Sequence, residues 1–317
     1  MPALYVSENE PIGGLGADRT GTLYYTLQES GVIRRVPANG GAPVAENFAM
    51  VPSEGGHGLA RLTFGPDGLL YAVQEQKVYR FAADGTVTMT WTLPDSTFLT
   101  GVVFDRDGSL LVAQHWPTVW RQPPGATAFA SHVDATSTVP LDTDDPWNEG
   151  MSLGPDGLVY VGVFPTGNLA GIVYRIDGPA MPQRLIGFAE IKRDVAVTQY
   201  AGVHGLAFGA DGSLYFVNQN TSTDTKEPHG QVLARRPTGK IELVATGFNF
   251  DWPDGFDGDI VASQATVQSI SVPVDAMGHA SGALDAPTLP GNYGVRALIT
   301  DPRTGAISEA RGTVKVR

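Results

Sequence analysis

Apolar positions along the chain fall in short runs broken by Gly, Pro and Asp, the pattern of short strands separated by turns. One phrase recurs. Gly205–Val217 reads GLAFGADGSLYFV, and relatives begin at Arg61 (RLTFGPDGLLYAVQ), Gly101 (GVVFDRDGSLLVAQ) and Gly150 (GMSLGPDGLVYVGV). A weaker copy begins at Gly14 (GLGADRTGTLYYTL). The turn glycines Gly21, Gly68, Gly108, Gly157 and Gly212 are separated by 47, 40, 49 and 55 residues, a period that marks propeller blades.

Each phrase predicts a hairpin: an apolar run, an Asp-Gly turn whose glycine tolerates positive φ, then a run rich in Tyr, Val and Leu. Shorter strands follow, such as Lys77–Phe81 and Gly230–Arg235, and a fourth apolar segment such as Ile241–Ala245. Four strands per repeat predict an all-β fold, a β-propeller of four-stranded blades, each needing neighbours to cover its faces. Five repeats are clear, so the ring has five blades or a divergent sixth. Asp67, Asp107, Asp156 and Asp211 read as turn residues.

The phrase dissolves past Phe250, giving a propeller over 1–248 and a distinct segment over 249–317. Val267–Val274, Tyr293–Thr300 and Gly312–Val316 alternate as strands. The segment reads either as a small immunoglobulin-like sandwich, with a Tyr-containing strand and a final Thr-Val strand that pair across the sandwich, or as strands that complete the ring.

The repeated G-L-x-F-G-x-D-G-x-L-Y resembles the propellers of the SMP-30/gluconolactonase and strictosidine-synthase group. It is also similar to NHL-repeat proteins, virginiamycin B lyases and soluble sugar dehydrogenases. The resemblance covers about residues 10–248 and specifies the blade better than any one activity. It implies an acid-lined channel mouth in which Glu149, and Asp254 in PDGF, match the lactonase pattern in residue type. His204 stands where that pattern has Asn or Asp, and its Glu-Gly-Pro opening is missing near Glu10-Pro11-Ile12.

Composition narrows the classes. The chain of 317 residues has 33 acidic and 21 basic side chains, a net charge of −12, and no cysteine. That balance opposes nucleic-acid binding, and cysteine chemistry is excluded. No apolar run is long enough to insert in a membrane. No phosphate loop, nucleophile elbow or H-E-x-x-H motif occurs. Met1–Glu8 lacks the basic and apolar regions of a secretory leader. The missing cysteine, few lysines and sandwich-like tail fit an exported protein with its leader removed; the cytoplasm is the alternative.

Propeller chemistry belongs on loops entering the inner strand and leaving the second. Counting seven residues back from each turn Asp gives Ala60, Thr100, Glu149 and His204 at the inner-strand entrance. Gln74, Glu75, Gln114, His115 and Asn218 stand at the exit of the second strand. Glu149 and His204 are the candidate catalytic acid and base. With His57 and Asp254 they are also candidate ligands for a divalent metal, calcium or a transition metal according to the oxygen–imidazole balance. His115, Trp116, Asn218 and Trp147 are candidate substrate contacts. The acidic run Asp142–Glu149 and the insertion Asn218–His229 would form rim loops. His229 and His279 read as exposed or structural.

The expected function is a metal-assisted hydrolase or lyase, lactonase-like, acting on a small oxygenated substrate at the channel mouth. A glycan- or protein-binding module of an exported protein is the alternative. A quinone-dependent sugar dehydrogenase is the third reading, disfavoured by the lack of a basic set at the mouth.

Overall fold

The computed structural model describes residues 8–37, 44–53, 59–93, 98–114, 118–134, 146–165, 172–176, 183–195, 200–209, 211–221, 230–248, 291–300 and 307–316. Its fold is all-β: five four-stranded antiparallel blades in a propeller arrangement. Blade one comprises β1 (Ile12–Ala17), β2 (Leu23–Leu27), β3 (Val32–Val36) and β4 (Glu46–Met50). Blade two comprises β5 (Arg61–Phe64), β6 (Leu70–Gln74), β7 (Lys77–Phe81) and β8 (Val87–Thr92). Blade three comprises β9 (Leu99–Phe104), β10 (Leu110–Gln114), β11 (Thr118–Gln122) and β12 (Ala130–Asp134). Blade four comprises β13 (Pro146–Leu153), β14 (Val159–Pro165), β15 (Ile172–Ile176) and β16 (Gln183–Ile186). Blade five comprises β17 (Tyr200–Phe208), β18 (Leu214–Thr221), β19 (Gly230–Arg235) and β20 (Ile241–Phe248). In every blade the strands pair in sequence order, so the chain runs from innermost to outermost strand before crossing to the next blade.

The turns follow from the repeated phrase. Gly21, Gly68, Gly108, Gly157 and Gly212 all take φ between 75° and 84°, which only glycine adopts without strain. The preceding Asp stays in ordinary backbone space and acts through its carboxylate. Asp67 Oδ1 accepts the Leu69 N–H at 3.1 Å and Asp67 Oδ2 accepts the Tyr71 hydroxyl at 2.9 Å. Asp156 repeats the arrangement with Leu158 at 3.2 Å and Tyr160 at 2.8 Å. These acids are scaffold, as the turn pattern predicts.

Strand alternation assigns each face to a neighbour. On β6, Leu70 and Ala72 join a core cluster with Tyr24 and Ile33 of blade one. Tyr71 and Val73 join another with Val102 and Val112 of blade three. In blades one, two and four the tyrosine three residues after the turn glycine reaches the end of the next inner strand. Tyr24 meets Phe64 at 5.0 Å, Tyr71 meets Phe104 at 4.8 Å and Tyr160 meets Phe208 at 4.7 Å between ring centroids, all edge-on. Such pairs add stabilisation beyond area burial.

Among the described residues one helix interrupts the repeat. α1 (Phe188–Asp194) starts at Gly187, whose N–H donates to Glu190 Oε2 at 2.9 Å. Ile191 is fully buried in the core between blades four and five. Asp194 Oδ2 accepts the Ile241 N–H at 2.9 Å, pinning the helix to β20. That bond and the bidentate Arg193 guanidinium hold the Asp194 carboxyl well below the usual carboxylate range.

The last described strands, β21 (Gly291–Thr300) and β22 (Ile307–Val316), form a two-stranded antiparallel sheet with Tyr293 opposite Val314. They are hydrogen-bonded neighbours through the whole of both strands. Residues 249–290, with the expected strand Val267–Val274, lie outside the described residues. No helix among the described residues is long and apolar enough to cross a membrane.

Two outcomes follow from the tyrosines and the helix clasp. Burial, and after it the bonds to Asp67 and Asp156, pushes Tyr71 and Tyr160 up to about 12. A raised folded pKa gives stability that is full below the unfolded value of about 10 and lost as pH rises through the folded value. Stability measured by urea unfolding should therefore fall between about pH 10 and 12. Tyr160→Phe should blunt that fall and cost about 1 kcal/mol at neutral pH. Asp194 has a depressed pKa, so its contribution is present above about pH 4 and disappears on acidification. Asp194→Asn should reduce the slope of thermal midpoint against pH on the acid side.

Candidate functional site

Each inner strand carries an extra residue at one level. In blade three Leu99 pairs with Gln114 and Gly101 with Ala113, leaving Thr100 bulged. In blade four Asn148 pairs with Val163 and Gly150 with Gly162, leaving Glu149 bulged. In blade five the register shifts between Val203 and Leu206, across His204 and Gly205. In blade one it shifts between Ile12 and Leu15, across Gly13 and Gly14. In blade two Ala60 N donates to Val73 O at 2.8 Å while Arg61 pairs with the same Val73. The residues seven positions before each turn, Gly13, Ala60, Thr100, Glu149 and His204, thus form one ring of β-bulges. A bulge re-aims its side chain out of the regular alternation, and bulges concentrate beside functional sites.

The residue after each bulge explains how the strands come so close. It is Gly14, Arg61, Gly101, Gly150 and Gly205 in turn. A Cβ on Gly150 would lie 2.8 Å from the His204 carbonyl oxygen, and one on Gly162 3.1 Å from the same atom. A Cβ on Gly101 would sit 2.6 Å from Met151 Cγ, and one on Gly14 2.6 Å from Arg61 Cα. The missing side chains let adjacent inner strands touch. Glu149 directly precedes the glycine that abuts the His204 peptide, so the two candidate acid–base residues occupy contiguous backbone on neighbouring blades.

His204 is 3% exposed, held in the wall and not on a loop tip. Asn218 is fully buried, and its Nδ2 donates to Gln231 Oε1 at 2.8 Å. The equivalent amides behave alike. Gln114 Oε1 accepts from Trp120 Nε1 at 2.9 Å, and Gln74 Nε2 donates to Pro52 O at 3.2 Å. These amides fasten the exit of the second strand to the surrounding blade, a role that exit position alone does not reveal. Glu75 turns β6 into β7 with φ 49°, the one described non-glycine residue at positive φ, and its carbonyl accepts the Leu99 N–H at 2.8 Å.

Trp147 and Glu149 lie on β13, with their side chains outside the described set. His57, His115, Trp116 and Asp254 also lie outside the described residues, as do most of the rim loops. No group of three or more His, Asp or Glu able to hold a metal occurs among the described residues. Among those residues Glu149 and His204 are the predicted pair brought together.

Two further residues escaped the spacing argument. Arg61 is 4% exposed at the level where the other inner strands carry glycine, and its Nη1 donates to Ala60 O at 3.1 Å. The repeat alignment contains that signal, since Arg61 replaces the opening glycine of the phrase. His132 lies on β12, the outermost strand of blade three, where burial and then Arg121 hold its pKa below the ordinary histidine value. That position is remote from the bulge ring.

No family model and no curated protein sequence matches the chain. Solved structures do, at identities that speak to fold alone. Virginiamycin B lyase from Staphylococcus aureus superposes with a TM-score of 0.54 at 15% identity, over 82% of this chain and 76% of that one. The PQQ-bound aldose sugar dehydrogenase from Streptomyces coelicolor gives 0.56 at 12% identity, over 77% and 84%. A gluconolactonase from Xanthomonas campestris gives 0.54 at 13% identity, over 75% and 76%. The chain is a β-propeller similar to lyases, lactonases and sugar dehydrogenases.

The contact between Gly150 and His204 is directly testable. Gly150→Ala should cost about 1–3 kcal/mol through overpacking against backbone. It should also shift the His204 imidazole signals in NMR, whereas Gly108→Ala, in the distant turn, should leave them in place.

Proposed function

We propose that this protein is a hydrolase or lyase acting on a small oxygenated substrate, lactone-like in chemistry, at the bulged end of the channel. The observation that carries the reading is the contiguous placement of Glu149 and His204 on neighbouring bulges. A carboxylate and an imidazole carried on contiguous backbone would serve as an acid–base pair: one removes a proton while the other delivers one to the leaving oxygen. Neighbouring folds support the class. In a structure of virginiamycin B lyase with quinupristin, the catalytically inactive form carries alanine in place of a histidine. In this chain His204, buried in the inner-strand wall, would do such work.

The donor set, carboxylate with imidazole, suits a divalent ion, for which Glu149 and His204 would be the core and His57 and Asp254 the further ligands. When bound, the ion would polarise a carbonyl oxygen. The chain's own contribution is to hold His204 rigidly through the Gly150 and Gly162 contacts and to bury the Arg61 guanidinium one residue past the ring.

Full-length protein purified without chelator, assayed by metal analysis and against a panel of lactones and cyclic esters, tests the proposal. Glu149→Gln and His204→Asn should each lower kcat/KM about 10²–10⁴-fold, the range for loss of a general acid or base. Unchanged turnover in both variants would remove these residues from the mechanism. A wild-type chain inert on the panel yet binding glycans would favour the binding-module reading.

A further inference from the structure

Among the described residues the outermost strand of each blade has a hydrogen-bonded neighbour on one side only. The other edge of such a strand offers its N–H and C=O groups to any strand that approaches, and natural sheets blunt it with charge. Four of the five outermost strands follow that rule: β4 carries Glu46, β12 Asp134, β16 Arg184 and β20 Glu242. β8 does not. From Thr86 to Thr92 the chain reads TVTMTWT, with no charge, proline or glycine.

This strand is open to solvent along its length. Val87 is 38% exposed and Met89 42%, and the threonines beside them are exposed as well. Trp91 is partly covered, stacked on Tyr71 and edge-on to Phe129 of blade three. A bulge at Thr88 shifts the register near the start of the strand, and from Met89 to Thr92 it pairs residue for residue with Arg80 to Lys77. In that regular stretch the two faces alternate. Met89 and Trp91 lie on the face of Val78, toward blade three. Thr90 and Thr92 lie on the face of Tyr79, toward blade one.

We propose that β8 docks antiparallel against β8 of a second copy of this chain, about a two-fold axis through Thr90. That register sets Met89 opposite Trp91 and Thr88 opposite Thr92 on both sides of the axis, with the two Thr90 residues face to face. Apolar side chains then meet apolar ones and hydroxyls meet hydroxyls, the cross-strand pairs that stabilise a sheet. A slip of one residue pairs threonine with methionine and tryptophan instead, so the alternation fixes the register. The contact is isologous and joins two four-stranded blades into one continuous sheet. Charge selects the place. Each copy carries −12, so two copies repel over most of their surface. Pairing through β4, β12 or β20 brings Glu46, Asp134 or Glu242 toward its own counterpart, whereas β8 has no acid to bring. β8 is also the strand of blade two farthest from β5, so the paired edge lies away from the bulge ring.

Sedimentation velocity of the full chain over a wide range of concentration tests the inference. A reversible dimer is expected, and a chain that stays monomeric throughout would overturn it, whether β8 is bare or covered by another segment. Thr90→Lys sets two like charges against each other on the axis and should weaken the dimer at least about tenfold. Leu243→Lys places the same charge at an exposed position of β20 and should leave association unchanged. Melting curves confirm that both variants fold. Equal weakening in the two variants, or none in Thr90→Lys, removes β8 from the interface. The chain has no cysteine, so Thr90→Cys carries a single thiol. A short bis-maleimide should join it to a second copy, while Leu243→Cys should remain unlinked. A dimer in which Thr90→Cys fails to cross-link uses a different surface and overturns the inference.

Discussion

A four-stranded blade has two apolar faces and no interior of its own, so each face must be covered by a neighbour. Here that cover is tied to a single recurring device. The turn carboxylate of Asp67 or Asp156 holds the hydroxyl of a tyrosine four residues on, leaving the ring to meet the phenylalanine that ends the next inner strand. One side chain satisfies its polar end inside its own blade and spends its apolar end on the next. The turn, the hairpin register and the blade-to-blade angle are therefore not independent choices. Blade three, with Leu111 at the equivalent position, fills the same space without a hydroxyl and packs among Val159, Val161 and Leu153.

The close approach of the inner strands follows from that geometry and sets the terms for chemistry. Glycine after the bulge, in every blade but the second, lets the neighbouring inner strand come close, and the bulge residue is displaced from the regular alternation of its strand. The described side chains in the ring nonetheless stay buried, Ala60 within the core between blades two and three and Thr100 and His204 almost fully covered. A Gly, an Ala, a Thr, a Glu and a His all occupy equivalent backbone sites. The scaffold constrains where these residues stand and leaves open what they are.

This division explains what the sequence made legible. The turn glycines recur at blade spacing because positive φ is a strict local demand, so blade positions and strand order could be read directly. Glu149 and His204 could be aligned because their offset from the turn is constant. That they are bulged, and that Gly150 presses on the His204 peptide, depends on register between strands and is not encoded in spacing. The outward fastening of Asn218 to Gln231 was invisible for the same reason: partner choice follows from the third strand, which the phrase does not contain. Arg61 was visible in the alignment as a break in the glycine column, yet it resembles an ordinary strand-start residue until its burial is known.

The ring is also lopsided. Blades one to three present Gly13, Ala60 and Thr100, none of which titrates, whereas blades four and five present Glu149 and His204. The longest departures from the repeat, the acidic run 142–149 and the insertion 218–229, are attached to the same two blades. A substrate held on the axis of a symmetric ring would meet equivalent groups from all sides. Here the ionisable members of the series fall on two adjacent blades and the small or uncharged members on the other three. Arg61, buried at the start of β5, lies two blades from Glu149. The asymmetry thus lies in the identity of the bulge residues, while the bulged backbone itself recurs from blade to blade and the close contacts between inner strands keep each bulge in place.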